Sequence, residues 1–285
     1  MLRAIIYSFS AIALAGCINS STTEAEHFEN SVTSGQEYAK PSREPILVDY
    51  ASQFQRCDRE NIFNGRQMKG NKRCRHPNPR RRDLNMLDGF YRLEGTAISF
   101  KAKMSVDVDG GYPPCAGVKG ATDQCPTTYR YKSLSPGDEN LPKWRRTYVT
   151  SDLVPYVVIP YDSLKSGRPN DRESREFRDN TGVQIGDVGV VVFEDKVIPV
   201  LVADGGPHNK IGEGSLALFD ALGHTRCAER VANDPKFCAK VKNYSLGKTV
   251  EYILFPNSSI NGLTPSNTNQ LVRKKAIQLY NDLFQ

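Results

Sequence analysis

The sequence has few residues of the kind that hold a metal through soft ligands. It contains four scattered histidines in 285 residues, and its seven cysteines form no C-x-x-C pair. Structural zinc sites depend on closely spaced cysteines or histidines. These absences argue against a zinc module, and we expect no metal and no other cofactor.

Long apolar runs and internal repeats are also missing. The apolar stretch from Ala4 to Leu14 is shorter than the roughly 20 residues that cross a bilayer as a helix. No sequence period indicates a solenoid or a propeller. We therefore expect one folded domain of about 240 residues after an N-terminal targeting segment.

The N-terminus has the pattern of a bacterial lipoprotein signal. Arg3 precedes the apolar core, and Leu14-Ala15-Gly16-Cys17 resembles a lipobox. The pattern predicts removal of residues 1–16, lipidation of Cys17 and attachment to a membrane. Because Ile18 rather than Asp follows the cysteine, we expect an extracytoplasmic protein anchored in the outer membrane. An ordinary secretory signal cut near Gly16 is the alternative.

Residues 17–45 are rich in Ser, Thr and Glu and lack apolar periodicity, so we expect a flexible tether. Residues 46–285 then form the folded domain, which we expect to be a monomer. An extracytoplasmic location favours disulfides, and six cysteines remain when Cys17 is set aside. Nearest-neighbour pairing predicts Cys57–Cys74, Cys115–Cys125 and Cys227–Cys238, although six cysteines allow fifteen pairings.

A basic stretch runs from Arg66 to Arg82 around Cys74. Such a cluster could bind phosphate groups, but its prolines and its lack of interleaved aromatics argue against a nucleic-acid platform. We expect a solvated loop and no nucleic-acid partner.

The stretch from Val197 to Gly223 is the most informative part of the chain. Its first residues, Val197 to Ala203, form an apolar β-branched run that predicts a buried strand. Asp204 follows this run, and Gly205-Gly206-Pro207 predicts that the chain turns directly behind it. Further on, Ser215 is placed to cap a short helix that ends at Gly223.

Two acids lie between this strand and this helix. Asp204 ends the strand, and Glu213 stands between Gly212 and Gly214, so we expect both on a glycine-rich loop. Paired carboxylates suit the general acid and general base of glycoside hydrolysis. We assign the base to Asp204 and the acid to Glu213, although the sequence does not decide between the two orders. A polar turn with a helix-capping acid is the alternative.

A second pair of acids ends an earlier strand. Asp107 and Asp109 precede a Gly-Gly turn, and residues two apart on an extended chain point the same way. They could bind the ammonium groups of an amino-sugar polymer, hold calcium, or belong to a plain turn. The net charge of +6 would repel a polycation, so such a cleft must be locally acidic.

The remaining elements predict a mainly β fold with peripheral helices. Strand signals at Thr147–Asp162, Gly182–Lys196 and Lys248–Pro256, separated by Gly/Pro turns, favour a single-domain β-barrel. The pattern also resembles double-psi barrels. We expect a disulfide-tied helical excursion over Thr225–Asn243. We also expect an amphipathic C-terminal helix, capped by Ser266 or Asn267, with Val272, Ala276, Leu279 and Leu283 on one face.

Four motifs together resemble glycoside hydrolase family 75, the chitosanases. They are Asp107-Val108-Asp109-Gly110, Val157-Val158-Ile159-Pro160, Gly186-Asp187-Val188, and Ala203 to Pro207 with Ile211 to Ser215. The resemblance implies that Asp204 and Glu213 are the catalytic pair, that Asp107 and Asp109 bind substrate, and that the enzyme inverts the anomeric carbon of chitosan. A murein-active enzyme and a non-catalytic glycan-binding lipoprotein are the alternatives.

Overall fold

The structure is a computed structural model that describes residues 41–75, 84–111, 126–161 and 171–285. The predicted signal peptide, the predicted lipidation site Cys17, most of the predicted tether and the predicted Cys115–Cys125 bridge lie outside these residues. The described residues belong to one compact unit. No helix in these four ranges is long and apolar enough to cross a membrane.

Twelve strands and five α-helices make up the described fold. The strands are β1 Arg43–Pro45, β2 Ile62–Phe63, β3 Arg66–Gln67, β4 Asp88–Leu93, β5 Ile98–Asp107, β6 Tyr156–Pro160, β7 Val188–Phe193, β8 Lys196–Gly206, β9 Glu213–Ser215, β10 Cys227–Val231, β11 Asp234–Val241 and β12 Ser245–Phe255. The helices are α1 Tyr50–Glu60, α2 Lys143–Thr147, α3 Arg172–Thr181, α4 Leu216–Ala221 and α5 Thr268–Asp282.

Six of these strands close into a barrel. The ring runs β5-β12-β7-β8-β6-β9 and returns to β5, while β4 and β1 extend the sheet beyond β5. The β5–β9 and β6–β8 pairs are parallel, and the other pairs around the ring are antiparallel. The predicted mainly β barrel with a C-terminal helix is confirmed.

The barrel wall is apolar on both faces. Along β8, Ile198, Val200 and Val202 pack into the cluster that fills the barrel. Leu201 and Ala203 point to the other face, where they join Val272 and Ala276 of α5 in a second cluster. A strand covered on both sides needs a nearly continuous apolar run, which explains the composition of Val197–Ala203.

The disulfide predictions are confirmed where the structure describes them. Cys57 bonds to Cys74, and Cys227 bonds to Cys238. The predicted helical excursion over Thr225–Asn243 is wrong, because β10 and β11 form an antiparallel hairpin that the second bridge ties together. Exposed residues are frequent in both strands of this hairpin, as expected for a hairpin at the surface of the domain.

β1 pairs with β4, so the ordered sheet already includes Arg43–Pro45, the last residues assigned to the tether. Farther along, α4 begins as predicted, because Ser215 occupies its N-cap and accepts a hydrogen bond from the Leu218 amide at 3.1 Å. This cap joins β9 directly to α4 and gives Glu213, two residues earlier, a rigid support.

Candidate active site

Strand β6 lies between the two predicted catalytic acids. Its Val158 pairs with Asp204 across β6–β8 and with Glu213 across β6–β9. Directly paired residues share one face of a sheet, so both carboxyl groups point to the same side as Val158. Two strand spacings separate their backbones by about 10 Å. The acids therefore face a common space from opposite sides of one strand.

A β-bulge sets the orientation of Asp204. Val157 pairs with Val202, but the next pair along β6 is Val158 with Asp204, so Ala203 is the extra residue of β8. Without the bulge, strict alternation would turn Asp204 into the barrel with Val202. The prediction that the strand stops at Asp204 and that both acids lie on a loop is wrong, since β8 continues to Gly206 and Glu213 begins β9.

Asp204 is almost fully buried, with 4% of its surface exposed. Its Oδ1 accepts hydrogen bonds from the Thr128 amide at 2.8 Å, the Thr128 hydroxyl at 2.7 Å and the Gly205 amide at 2.8 Å. Burial raises the pKa of Asp204, while hydrogen bonds from Thr128, Gly205 and Asp109 act in the opposite direction. Sequence analysis missed Thr128, because nothing in the irregular segment around it indicates contact with β8.

Asp107 and Asp109 lie beside Asp204. One carboxylate oxygen from each of the three residues falls within 4.8 Å of the others. The Asp107 Oδ1 also accepts the amide of Asp109 at 2.9 Å, which closes a tight turn at the end of β5. Burial, with the negative charges of Asp204 and Glu213, raises the pKa of Asp107 well above its usual range.

Two buried hydroxyls hold the backbone of this acidic turn. The Tyr156 hydroxyl donates to the Asp109 carbonyl at 2.9 Å, and the Ser151 hydroxyl donates to the Asp107 carbonyl at 2.5 Å. Burial and the charges of Asp107, Asp204 and Asp109 raise the pKa of Tyr156 well above its ordinary value. Tyr156 thus stays neutral and acts as a hydrogen-bond donor beneath the acids.

Glu213 is the more exposed of the two predicted catalytic acids, with 25% of its side chain accessible. Its Oε1 lies 3.9 Å from the Nζ of Lys103, whose side chain is only 4% exposed. Gly212 just before it has φ of 83°, and a Cβ there would lie 2.4 Å from the Lys103 carbonyl oxygen. Only glycine fits this close approach. Sequence analysis did not single out Lys103.

The segment that joins the two acids is anchored to the first disulfide. The buried Asn209 side chain donates to the Lys72 carbonyl at 2.6 Å, and the Lys210 ammonium donates to the Arg73 carbonyl at 3.0 Å. The Ile211 amide donates to Asn85 Oδ1 at 3.0 Å. Lys72 and Arg73 directly precede Cys74, so the Cys57–Cys74 bridge supports the chain just ahead of Glu213.

A second group of side chains that could coordinate a metal ion lies near the segment that joins the two acids. Asp171, Glu173 and His208 offer atoms within 4.8 Å of one another. Asp171 caps α3 by accepting the Ser174 amide at 2.6 Å, and Glu173 pairs with Arg66 at 2.8 Å. These contacts already give the two carboxylates structural roles.

The family comparison agrees with this geometry. The family model described as the fungal chitosanase of glycosyl hydrolase group 75 matches residues 104–279, which include all four acids. The chain belongs to this family. No curated protein matches the chain. As a family 75 member it is a chitosanase-type glycoside hydrolase with a polysaccharide substrate. Its disulfides and its family indicate an extracellular location.

The family 75 match begins inside β5. It therefore leaves out α1, β4 and the Cys57–Cys74 bridge, although this bridge supports the segment ahead of Glu213. The matched part contains the six-stranded ring except for the first residues of β5. The site thus combines a family barrel with an N-terminal support that lies outside the match.

Proposed function

We propose that the protein is an endo-acting chitosanase that inverts the anomeric carbon, with Asp204 as general base and Glu213 as general acid. The observation that carries this proposal is the pairing of Val158 with both acids on one face of the barrel wall. A backbone separation of about two strand spacings leaves room for a water between them. Inverting glycosidases need carboxyl groups about 6.5–9.5 Å apart for that purpose.

The surroundings of Asp204 suit a base. Three donors on Oδ1 favour its ionised form, and burial raises its pKa and so strengthens it as a proton acceptor. With 4% exposure, it is accessible to a water more readily than to a sugar ring. In the proposed reaction, Asp204 takes a proton from this water as the oxygen attacks the anomeric carbon.

The surroundings of Glu213 suit an acid. Its partly exposed carboxyl can reach the glycosidic oxygen of a bound chain and give it a proton as the bond to the anomeric carbon breaks. Donation leaves a negative charge on Glu213, and the Lys103 ammonium 3.9 Å away stabilises that charge. A preorganised cation at the place where charge develops lowers the barrier rather than only tightening binding.

The acidic turn supports an amino-sugar polymer as substrate. Asp109 is partly buried and lies against the catalytic base, where a carboxylate could pair with a substrate ammonium group. The chain as a whole carries a net charge of +6, so attraction of a polycation depends on this local cluster of acids. We propose Asp109 as a substrate-binding residue on this ground. The sequence analysis proposed the same role for Asp107.

The N-terminal pattern supports a location in the cell envelope. We propose that Cys17 is lipidated and that residues 17–42 connect the anchor to the enzyme domain, whose sheet begins with Arg43 and which works as a monomer. The third predicted bridge, Cys115–Cys125, belongs to the same extracytoplasmic proposal. An outer-membrane anchor would hold the active site close to polymers that reach the cell surface.

The test is product analysis with three substrates side by side. Release of reducing ends from soluble chitosan, with little from chitin or purified murein, is the expected result. Proton NMR of fresh product should show the α-anomer first, because inversion of a β-linkage gives it. An initial β-anomer would rule out inversion. Cleavage of murein alone would identify murein, rather than chitosan, as the substrate. Binding without cleavage would indicate a non-catalytic glycan-binding lipoprotein.

A further inference from the structure

The carboxyl groups of Asp107, at the end of β5, and Asp204 on β8 lie close together, and a side-chain hydrogen bond between them is one cause of the raised pKa of Asp107. One oxygen from each belongs to the group that falls within 4.8 Å, and the negative charge of Asp204 favours the protonated form of Asp107. A hydrogen bond between two carboxyl groups requires a proton on one of them, since two carboxylates at this distance repel. The question is which residue carries that proton.

The surroundings of Asp204 favour its role as the hydrogen-bond acceptor of the pair. Its Oδ1 receives two amide hydrogens and one hydroxyl, all within 2.8 Å. Donors arranged in this way stabilise a carboxylate and disfavour its protonation. Asp107 accepts the Asp109 amide on Oδ1 and faces the negative charges of both Asp204 and Glu213. Its neutral form therefore suits this place better.

We propose that Asp107 is a positioning residue for the catalytic base, in which a protonated carboxyl donates a hydrogen bond to Asp204 and keeps it ionised and oriented. This inference rests on the proposed function, because it assigns Asp107 a role through Asp204. The proton stays on Asp107 during turnover, while Asp204 takes a proton from the attacking water and releases it to solvent after the product leaves. The raised pKa of Asp107, caused first by burial, supports the assignment.

The charged and titratable groups around this pair come from three strands and one turn. Among the described residues they are Glu213 on β9, Tyr156 on β6, Lys103 on β5 and Asp109 on the turn after β5, whose side chain also hydrogen-bonds to Asp204. Tyr156 stays neutral, and Lys103 lies against Glu213. The pH dependence expected below therefore depends on the acids themselves.

The role differs from that of an ammonium ligand, and substitutions separate the two. Asparagine at position 107 is neutral and can still donate a hydrogen bond, whereas alanine and leucine cannot. A positioning donor thus predicts that Asp107→Asn is less damaging than Asp107→Ala or Asp107→Leu. An ammonium ligand predicts that all three raise KM alike, because each removes the negative charge.

Kinetics on soluble chitosan provide the first test. Asp107→Ala and Asp107→Leu should lower kcat on the order of 10- to 100-fold, as expected when an outer hydrogen-bond partner is lost, with a smaller change in KM. Loss of a donor to the ionised Asp204 should move the acidic limb of kcat/KM upward by about one pH unit. Asp107→Asn should keep kcat and the acidic limb of kcat/KM much closer to those of the parent. Asp195→Asn, in the exposed turn between β7 and β8, is the matched control.

A second measurement needs no substrate. The infrared difference spectrum between the parent and Asp107→Asn at neutral pH should show the loss of a protonated carboxyl band. A difference confined to carboxylate bands would overturn the inference even if chitosan is not the substrate. A raised KM with unchanged kcat in all three variants would also overturn it. Lack of chitosan hydrolysis by the parent would instead reject the proposed function, and the spectrum would still decide the role of Asp107.

Discussion

Asp204 and Glu213 are both acids, yet their surroundings differ in ways that separate their proposed roles. Asp204 is buried under hydrogen-bond donors, while Glu213 is partly exposed beside an ammonium group. A buried base is accessible only to a small nucleophile such as water, whereas a partly exposed acid can contact the glycosidic oxygen of the substrate. The side chains that create this difference, Thr128 and Lys103, come from distant parts of the chain.

Substitution of either acid should abolish most turnover while leaving the fold intact. Asp204→Asn and Glu213→Gln are close in shape to the native residues, so we expect kcat on chitosan to fall on the order of 10²–10⁴-fold with little change in the melting temperature. Glu60→Gln, at the exposed end of α1, is the control and should behave as the parent. Near-parental activity of Glu213→Gln would mean that another residue donates the proton.

At the level of elements, Asp152 connects the β10–β11 hairpin to the barrel. Its Oδ1 accepts the Cys238 amide at 2.7 Å, while its Oδ2 is buried with no hydrogen-bond partner among the residues that the structure describes. Burial raises the pKa of Asp152 from 3.8 to about 6. The folded protein therefore holds this proton more tightly than the unfolded chain does.

This difference makes stability depend on pH in a defined direction. Below about pH 4 both states carry the proton, and between pH 4 and 6 only the folded state keeps it. The contribution of Asp152 to the free energy of unfolding thus falls by about 2–3 kcal/mol as the pH rises through 6. In Asp152→Asn, the free energy of unfolding should no longer decrease in this way with pH, while the side-chain oxygen can still accept the Cys238 amide. Denaturant unfolding from pH 4 to pH 7 measures it, and parallel curves for parent and variant would contradict the assignment.

The Cys57–Cys74 bridge supports the catalytic segment through Lys72 and Arg73. The double substitution Cys57→Ser with Cys74→Ser should lower the free energy of unfolding by about 2–4 kcal/mol and should also lower kcat, because Asn209 and Lys210 lose fixed acceptors. The hairpin bridge offers the comparison. Removing Cys227 and Cys238 should cost similar stability with a smaller loss of kcat, and equal kcat in both double variants would show that the support is unnecessary.

On the scale of the whole molecule, the N-terminus and the enzyme domain have separate roles. We expect that Cys17→Ser abolishes lipidation and releases the protein from the membrane fraction, while kcat on soluble chitosan stays as in the parent. Fractionation with an immunoblot measures the first effect, and a chitosan assay of the released protein measures the second. Unchanged membrane association of Cys17→Ser would remove the anchor from the proposal.

The sequence alone determined the features that depend on neighbouring residues. The apolar run Val197–Ala203 predicted a buried strand, and Ser215 predicted the start of α4, because propensity and capping act over a few positions. Close spacing of cysteines was enough to predict the two bridges that the structure describes. The family motifs then singled out Asp204 and Glu213, and the fold class followed from the strand signals.

Only the tertiary structure decided how these parts meet. The extra residue Ala203 turns Asp204 toward the face of Val158, and the register of β6 places Glu213 on that same face. The approach of Asp107 to Asp204 depends on the closed ring of strands. Pairing between strands far apart in the chain is set by packing of the whole barrel, so no local pattern specifies it. The irregular segment at Thr128 and the hairpin over β10–β11 escaped prediction for the same reason.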